Sequence, residues 1–501
     1  LFAAVALDPA ANPDNITVAV MVQPAAEQSS VFQAEFRGSS MGRGNNRRDF
    51  LKASALAGIG AVVASTTAFA DEPVKPAAAG PSKLNIACIG VGGKGDSDSS
   101  DAGKYANIVA ICDVDSRYLD KKAHQFPNAK KYVDYRQMLT DLGDKIDAVI
   151  VSTPDHTHAP ASLMAMSMGK HCYCQKPMTH TVAEARAMRD LARKNKLVTQ
   201  LGNQGTSYDE FRRGVEILRA GLLGTVKEVH VWTNRPIWPQ APDVTDALRE
   251  QAVPATLNWD QWIGAAPMRP YNAGYHPFKW RGFRDFGTGA LGDMGCHTYN
   301  MPFMGLNLDY PTSVVAEAGD INPQTYPSWA KVTSEFAARG DRGPVKVVWW
   351  EGHKKDRTGK LVRNIPDYKT THGFDLPMSG SLVVGDLGMM MSISDYGYTL
   401  RLIFNADSPG FSGKIPQILP RTGGGDDKQK LEWINAIASN GYKPLANFDY
   451  ASQLTEFILL GNVAILAGKK LEWDGPNMKI TNDEKANALL TREYREGWKV
   501  V

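Results

Sequence analysis

Between Lys83 and Leu201 the chain alternates short apolar runs with stretches of helical periodicity. Leu84 to Ile89, Asn107 to Cys112, Asp147 to Val151, His171 to Cys174 and Val198 to Leu201 read as buried strands. Thr181-Val182-Ala183-Glu184 is a capping box, and Ala185, Met188, Leu191 and Ala192 then fall on one helix face. Strands separated by helices predict a mostly parallel sheet with right-handed crossovers. Past Asn203 the pattern changes to one helix (Phe211 to Ala220) and a strand (Val226 to Thr233). The strands Thr312 to Ala318, Pro344 to Trp350, Ser381 to Val384 and Thr399 to Phe404 have no helices between them, which predicts an antiparallel sheet. Asp449 to Leu466 is apolar enough for a membrane, but Gln453, Glu456 and Asn462 make it a buried packing helix. The pattern therefore predicts an α/β domain over residues 83–203 and an α+β domain over 204–501.

The N-terminal residues follow neither pattern. Residues 1–40 show no sustained periodicity and are expected to lie outside the folded protein. Over residues 41–70, Asn46-Arg47-Arg48-Asp49-Phe50-Leu51-Lys52 precedes an Ala- and Gly-rich stretch that ends in Ala68-Phe69-Ala70. That is the form of a twin-arginine export signal with its cleavage site. Ser54, Ser65, Thr66 and Thr67 leave too weak an apolar core for a stable membrane span. The mature chain would begin near Asp71, with residues 71–82 as a linker, and the protein is expected to be exported to the periplasm.

Composition narrows the choice of partner. Among 501 residues, Lys and Arg number 56 against 53 Asp and Glu, and no long basic run occurs. A nucleic-acid partner has no electrostatic footprint here, and a small polar substrate is the default. The five cysteines are odd in number and suggest no disulfide framework.

The first strand ends in Gly90-Val91-Gly92-Gly93-Lys94-Gly95, a G-x-G-x-x-G turn into a helix. Such a turn lets the backbone approach a pyrophosphate while the helix N-terminus offers N–H donors. Asp113 ends the second strand about 20 residues on, where an acid hydrogen-bonds the adenosine ribose. Its charge would repel a 2′-phosphate at about 4 Å by roughly 4 kcal/mol at an effective dielectric of 20. NAD is thus expected in preference to NADP, unless Arg117 compensates.

Further motifs join the glycine turn: Thr153-Pro154 with His158, Lys176-Pro177 after a strand, and Gly289-x-x-x-Asp293-x-x-x-His297. Together they resemble the glucose-fructose oxidoreductase/inositol dehydrogenase (Gfo/Idh/MocA) family, from about Lys83 to the C-terminus. The resemblance implies a Rossmann domain followed by an open-faced, mostly antiparallel sheet domain, and a homo-oligomer. It also implies a catalytic role for Lys176, Asp293 and His297, with Thr153, Pro154, His158 and Lys176 beside the cofactor. Alcohol oxidation needs a base for the hydroxyl proton while hydride leaves, and a partly desolvated Lys176 would have its pKa lowered toward that task. Asp293 and His297, four apart, share one helix face. The bland readings are a surface lysine, a helix-capping acid and a core histidine. One departure stands out: the family usually has Glu before the Lys-Pro pair, and this chain has Gln175. Either the lysine is a better base for it, or Gln175 points away.

Asn234 to Phe286 reads as a long loop dense in Trp, Tyr and Pro, with Trp232 just before it. Aromatic faces beside polar groups suit a sugar ring, although half of these aromatics would be core. Trp280 and Arg281, with Asn203 and Gln204 at the domain junction, are the candidate substrate contacts. Asp155, His156 and His158, or His171 with Cys172 and Cys174, have no familiar zinc spacing, so no metal is expected. The expected function is an NAD(P)-dependent oxidoreductase acting on a sugar, cyclitol or glycoside, with a tightly held cofactor. The rivals are an NAD-dependent glycoside hydrolase working by transient oxidation and a non-catalytic dinucleotide- or sugar-binding protein.

Overall fold

The computed structural model describes residues 3–6, 84–244, 246, 248–367, 375–405, 408, 415–439 and 442–499. The export signal and linker expected over 41–70 and 71–82 lie outside the described residues. After a short strand β1 (Ala3–Ala6), the first domain runs β2 (Asn85–Ile89), α1 (Lys94–Ala102), β3 (Asn107–Cys112), α2 (Ser116–Gln125), β4 (Lys130–Tyr132), α3 (Tyr135–Leu142), β5 (Ala148–Val151), α4 (Asp155–Ser167), β6 (His171–Gln175), α5 (Val182–Lys194) and β7 (Thr199–Gly202). Its six strands are all parallel, in the order β4-β3-β2-β5-β6-β7. Successive residues feed opposite faces: Ala87, Ile89, Val149 and Val151 enter one core, and Ile86, Cys88, Ala148 and Ile150 the other. The order reverses at β2, beside which β3 and β5 leave in opposite directions, so the crevice for a ligand opens at these strand ends.

The glycine turn is fixed there by close approach. Gly90 has φ +78°, and a Cβ on it would lie 2.8 Å from the Ser152 carbonyl oxygen. A Cβ on Gly95 would overlap the Gly90 carbonyl oxygen. Only glycine lets α1 pack this near β2.

The second domain contains α6 (Asp209–Arg219), β8 (Val226–Trp232), α7 (Trp259–Ile263), α8 (Gly289–Thr298), α9 (Asn300–Gly305), β9 (Ser313–Ala318), β10 (Trp329–Phe336), β11 (Val345–Lys355), β12 (Leu361–Arg363), β13 (Gly380–Gly385), β14 (Gly388–Ser392), β15 (Leu400–Phe404), α10 (Asp426–Ala438), α11 (Phe448–Ala467), β16 (Leu471–Asp474) and β17 (Lys479–Ile480). The described strands form one sheet, β1-β15-β14-β13-β8-β11-β10-β9-β16-β17, with β12 on β11. Among them, only β8 and β11 pair in parallel. The expectation that residues 1–40 stand outside the fold fails for four of them. Ala3 to Ala6 pair antiparallel with Phe404 to Arg401. An edge strand's unpaired backbone groups accept such an addition whatever the side-chain periodicity.

Two late helices cross back to the first domain. Trp433 and Ile434 of α10 join the core on one face of the parallel sheet, and Phe448 and Ala451 of α11 join the other. The rest of α11 lies in the core of the second domain. This helix is long and apolar enough to cross a membrane by length and composition alone, but it is mostly buried, in keeping with its polar residues.

The segment from Asn234 to Phe286 departs from expectation. It holds α7 and forms its own core of Trp259, Trp262, Tyr271, Tyr275, Trp280, Phe283 and Phe286. It docks beside the end of β3, where Ser116 N donates to Thr256 O and Asn258 N to Val114 O. Among its aromatics, Phe278 is exposed and Trp238 is buried, as is Trp232 just before it at the end of β8.

This packing has two measurable consequences. Gly95→Ala should cost about 1–3 kcal/mol as an overpacked contact and reduce retained nucleotide, read by thermal melting and by the nucleotide absorbance of the purified protein. Glu351, buried in β11, accepts from Trp349 Nε1 at 2.7 Å, and burial pushes its carboxyl up to about 8. Its contribution to stability is complete below the ordinary 4.5 and is lost as pH rises through about 8. Glu351→Gln should therefore gain on the wild type by a few kcal/mol as denaturation titrations move from pH 4.5 to 9, since each tenfold change in proton affinity is worth roughly 1.4 kcal/mol.

Candidate active site

Every candidate in the first domain follows the C-terminal end of a parallel strand. The glycine turn follows β2, Asp113 follows β3, Thr153-Pro154 follows β5, Lys176 follows β6, and Asn203 with Gln204 follows β7. Asp113 is buried, and its Oδ2 accepts from Val91 N at 2.8 Å and Gly92 N at 3.0 Å. Oδ1 accepts from Asp115 N at 2.9 Å. Burial pushes the carboxyl up to about 6, opposed by these donors. Asp113 thus shapes the glycine turn itself and retains acceptor capacity at Oδ1 for a ribose hydroxyl. Gly92 packs under the Tyr118 ring, and Gly93 precedes α1 with φ +50°. The cradle fits a dinucleotide: glycines admit the backbone approach, α1 presents its N-terminus, and an acid stands at the neighbouring strand end. Arg117 is paired with Asp115, Nη2 to Oδ2 at 2.5 Å.

Pro154 is the cap residue of α4, and the Thr153 hydroxyl is buried without a partner. His158 is buried. Its ring nitrogens each lie 2.7 Å from a carbonyl oxygen, Nδ1 from Pro177 and Nε2 from Thr153. The neutral ring, which can donate to one of these carbonyls, thus lies packed between the loops that follow β5 and β6. His156 is spent likewise, on the carbonyls of Phe286 and Trp262. No cluster of three or more metal-ligating side chains occurs among the described residues.

The two domains meet at Lys176. Its Nζ donates to Asp293 Oδ1 at 2.9 Å and to Asp293 O at 2.8 Å. Arg281 Nε donates to the same Oδ1 at 3.1 Å, with the guanidinium stacked over Trp280 and Phe278. Burial alone would raise the Asp293 carboxyl, but Lys176 and Arg281 outweigh it and hold it well below the usual range. One turn on, His297 is neutral, because burial, reinforced by the Lys176 charge, holds it well below an ordinary imidazole. Asn203 fixes its tautomer. The Asn203 amide donates from Nδ2 to Cys296 O at 2.5 Å, so its Oδ1 accepts, 3.0 Å from His297 Nδ1. Nδ1 therefore carries the hydrogen and Nε2 keeps a lone pair. That lone pair can accept a proton, whereas Lys176 spends one hydrogen on the Asp293 carboxylate and a second on the Asp293 carbonyl oxygen, with a third left over.

Gln175 points away from the lysine ammonium. Its Nε2 donates to Asp98 Oδ2 at 2.8 Å and its Oε1 accepts from Lys176 N at 3.2 Å. Asp98 is fully buried and also receives Ser152 Oγ, Lys94 and Lys430. A glutamate at 175 would set a second carboxylate against Asp98, which explains the departure from the family pattern.

Several residues were invisible in the sequence. Asp155, weighed there only as a metal ligand, is buried at the start of α4, accepts from Thr288 Oγ1 at 2.7 Å, and is pushed up to about 7 by burial. Thr288 precedes α8, so this bond anchors the helix that carries Asp293 and His297. Tyr396, between β14 and β15, meets the His297 ring edge to face at 4.8 Å. The expected Trp280 contact is corrected: it is buried in the aromatic core with Nε1 bonded to Pro277 O, leaving no face for a sugar.

Residues 84–203 match the Gfo/Idh/MocA oxidoreductase family model for an NAD-binding Rossmann fold, and residues 212–372 match that family's C-terminal alpha/beta domain. A glycosyl hydrolase family 109 protein of Shewanella pealeana is 32% identical over 200 residues, 36% of this chain and 44% of that protein. D-glucoside 3-dehydrogenase of Escherichia coli is 35% identical over 165 residues, 31% of this chain and 44% of that protein. The chain thus spans less than half the length of these curated relatives. Among solved structures, aldose-aldose oxidoreductase of Caulobacter crescentus complexed with glycerol aligns with a TM-score of 0.53 and 17% identity, covering 78% of this chain and 100% of that one. Levoglucosan dehydrogenase in complex with NADH and levoglucosan aligns equally well, with 0.53, 17%, 78% and 99%. These structures share the fold. Two models of one family, matched in order over more than half of the sequence and on the architecture described above, place the chain in the Gfo/Idh/MocA oxidoreductase family.

Proposed function

We propose that the protein is an NAD-dependent oxidoreductase acting on a hydroxyl-bearing carbon of a sugar, cyclitol or glycoside. The observation that carries this reading is the convergence of Lys176, Asp293 and the unprotonated His297 at the strand ends that hold the glycine turn. When bound, a nicotinamide supplies the hydride acceptor or donor. The substrate hydroxyl gives its proton to His297 Nε2, while an N–H of Lys176 steadies the charge that builds on its oxygen. Asp293 balances the Lys176 charge, and Asn203 holds the imidazole in the tautomer that accepts. In the reverse direction the imidazolium returns the proton to the new hydroxyl.

NAD over NADP is supported by Asp113 at the turn and by Arg117 being paired with Asp115 instead of standing free for a 2′-phosphate. Glycoside hydrolysis by transient oxidation is the second reading, favoured by the 32% identity to a glycosyl hydrolase family 109 protein. Arg47-Arg48 and Ala68-Phe69-Ala70 support export to the periplasm through the twin-arginine route. That route carries folded proteins, which agrees with a cofactor loaded before export and tightly retained. Exposed Leu361 and Met378 support a homo-oligomer.

Mass spectrometry of the gently denatured protein should release NAD. Lys176→Ala and His297→Ala should each lower kcat on an oxidised pyranoside by about 10²–10⁴-fold while NAD is retained. Unchanged turnover in both would refute the assignment. Cleavage of a chromogenic glycoside without net NADH would select the second reading. Replacing Arg47 and Arg48 together by Lys should leave unprocessed precursor in the cytoplasmic fraction, whereas unaltered processing to a chain starting near Asp71 would count against this route.

A further inference from the structure

The aromatic segment expected to face a sugar is buried, which leaves open what does. The loop between β14 and β15, Ile393 to Thr399, offers the one aromatic ring that touches the catalytic histidine among the described residues. Tyr396 meets His297 at 4.8 Å with ring planes 84° apart, and burial, reinforced by the charges of Asp395 and Asp293, pushes its phenol up. It therefore packs on the histidine one helical turn from Asp293. Its hydroxyl has no hydrogen-bond partner among the described residues, and the residue is only half-buried, so the phenol is free to bond a ligand.

Two neighbouring acceptors are unspent. Asp395 Oδ1 and Gln204 Oε1 are both buried without a partner among the described residues. The segments that carry them touch: a Cβ on Gly205 would lie 2.8 Å from the Tyr396 carbonyl oxygen. Buried acceptors left unbonded are costly, and hydroxyl donors of a ligand would satisfy them. The loop is also held in shape without a ligand. Ser394 Oγ accepts from Gly397 N at 3.1 Å and Tyr398 N at 3.3 Å, and Ile393 N donates to Thr399 O at 3.2 Å.

We infer that Tyr396, with Asp395 and Gln204, forms the subsite that holds the ring of a polyhydroxylated substrate against His297. The apolar C–H face of a pyranose or cyclitol packs on the Tyr396 ring. Ring hydroxyls donate to Asp395 Oδ1 and Gln204 Oε1, and the phenol bonds a further ring oxygen. Selection for a six-membered ring over a short polyol comes from this loop of the second domain, whereas the oxidised carbon is set by Lys176 and His297. The inference rests on the oxidoreductase reading for its substrate class but is tested by binding.

The test is calorimetric titration of the NAD-loaded protein with methyl β-D-glucopyranoside, methyl β-D-galactopyranoside and myo-inositol, with glycerol as the short comparison. The wild type should bind at least one ring compound. Tyr396→Ala should weaken that compound at least tenfold and glycerol by less than twofold, with bound NAD unchanged. Tyr396→Phe and Gln204→Leu, which disturb packing least, should each weaken it severalfold, and where turnover is measurable KM should rise more than kcat falls. Three outcomes overturn the proposal: a wild type that binds none of the rings, ring affinity within twofold in every variant, or loss of NAD alongside ring affinity in the Tyr396→Phe protein. Ring binding lost on substitution in a protein that never oxidises any of these compounds would uphold the subsite and sink the oxidoreductase reading. Oxidation by the wild type with unaltered KM in the variants would do the reverse.

Discussion

The ion pair between Lys176 and Asp293 is the joint on which the site depends. Lys176 ends a strand of the parallel sheet, and Asp293 belongs to a helix of the second domain. Neither domain contains a complete site. Both side chains are largely withdrawn from water, so removing Asp293 leaves the buried Lys176 charge uncompensated, a loss of about 3–5 kcal/mol in typical cases. Arg281 adds a second cation to the same carboxylate oxygen, which is why the acid stays ionised despite its burial. The same arrangement underlies the proposed proton chemistry. With the lysine engaged by a carboxylate and the histidine neutral, the lone pair at His297 Nε2 is the group ready to accept.

A second electrostatic joint secures the cofactor cradle. Asp98, buried in α1, gathers Lys94, Lys430, Ser152 and Gln175 around one carboxylate. These partners come from the glycine turn, the end of β5, the end of β6 and the late helix α10. Four separated stretches of chain are thereby fixed at the point where the pyrophosphate would lie. Gln175 belongs to this network and not to the lysine's proton chemistry. An amide can donate to Asp98 and accept from the Lys176 backbone at once, which a carboxylate cannot.

Much of this was legible in the sequence because it is written in backbone geometry. Gly90, Gly95 and the apolar strands have few alternatives once the period and the turn are recognised, and Asp293 with His297 is a spacing any helix enforces. The antiparallel strand Trp329–Phe336 and the strand Gly388–Ser392 escaped notice: the buried face of the first includes the polar Ser334, and the apolar run of the second is only three methionines long. For His158, sequence gives its position along the chain but not which carbonyls its ring meets. Asp155 and Tyr396 were invisible for a related reason. Each owes its importance to a partner more than 90 residues away, Thr288 for one and His297 for the other.

The tryptophans make the sharpest case. Density of aromatic residues in a long connection suggested a sugar platform, yet Trp259 donates Nε1 to Arg269 O, Trp280 to Pro277 O and Trp238 to Gln240 Oε1. An indole whose N–H is bonded inside its own segment has already found its polar partner, and all three of these side chains are buried. Such residues stiffen the segment that covers the adenosine end of the crevice. A platform for a sugar needs the opposite condition: a ring with one open face and a polar tip still free. Tyr396 meets it on a short loop with an ordinary sequence, Ser-Asp-Tyr-Gly-Tyr. Composition counts aromatic rings, but recognition depends on which of them the fold leaves unsatisfied.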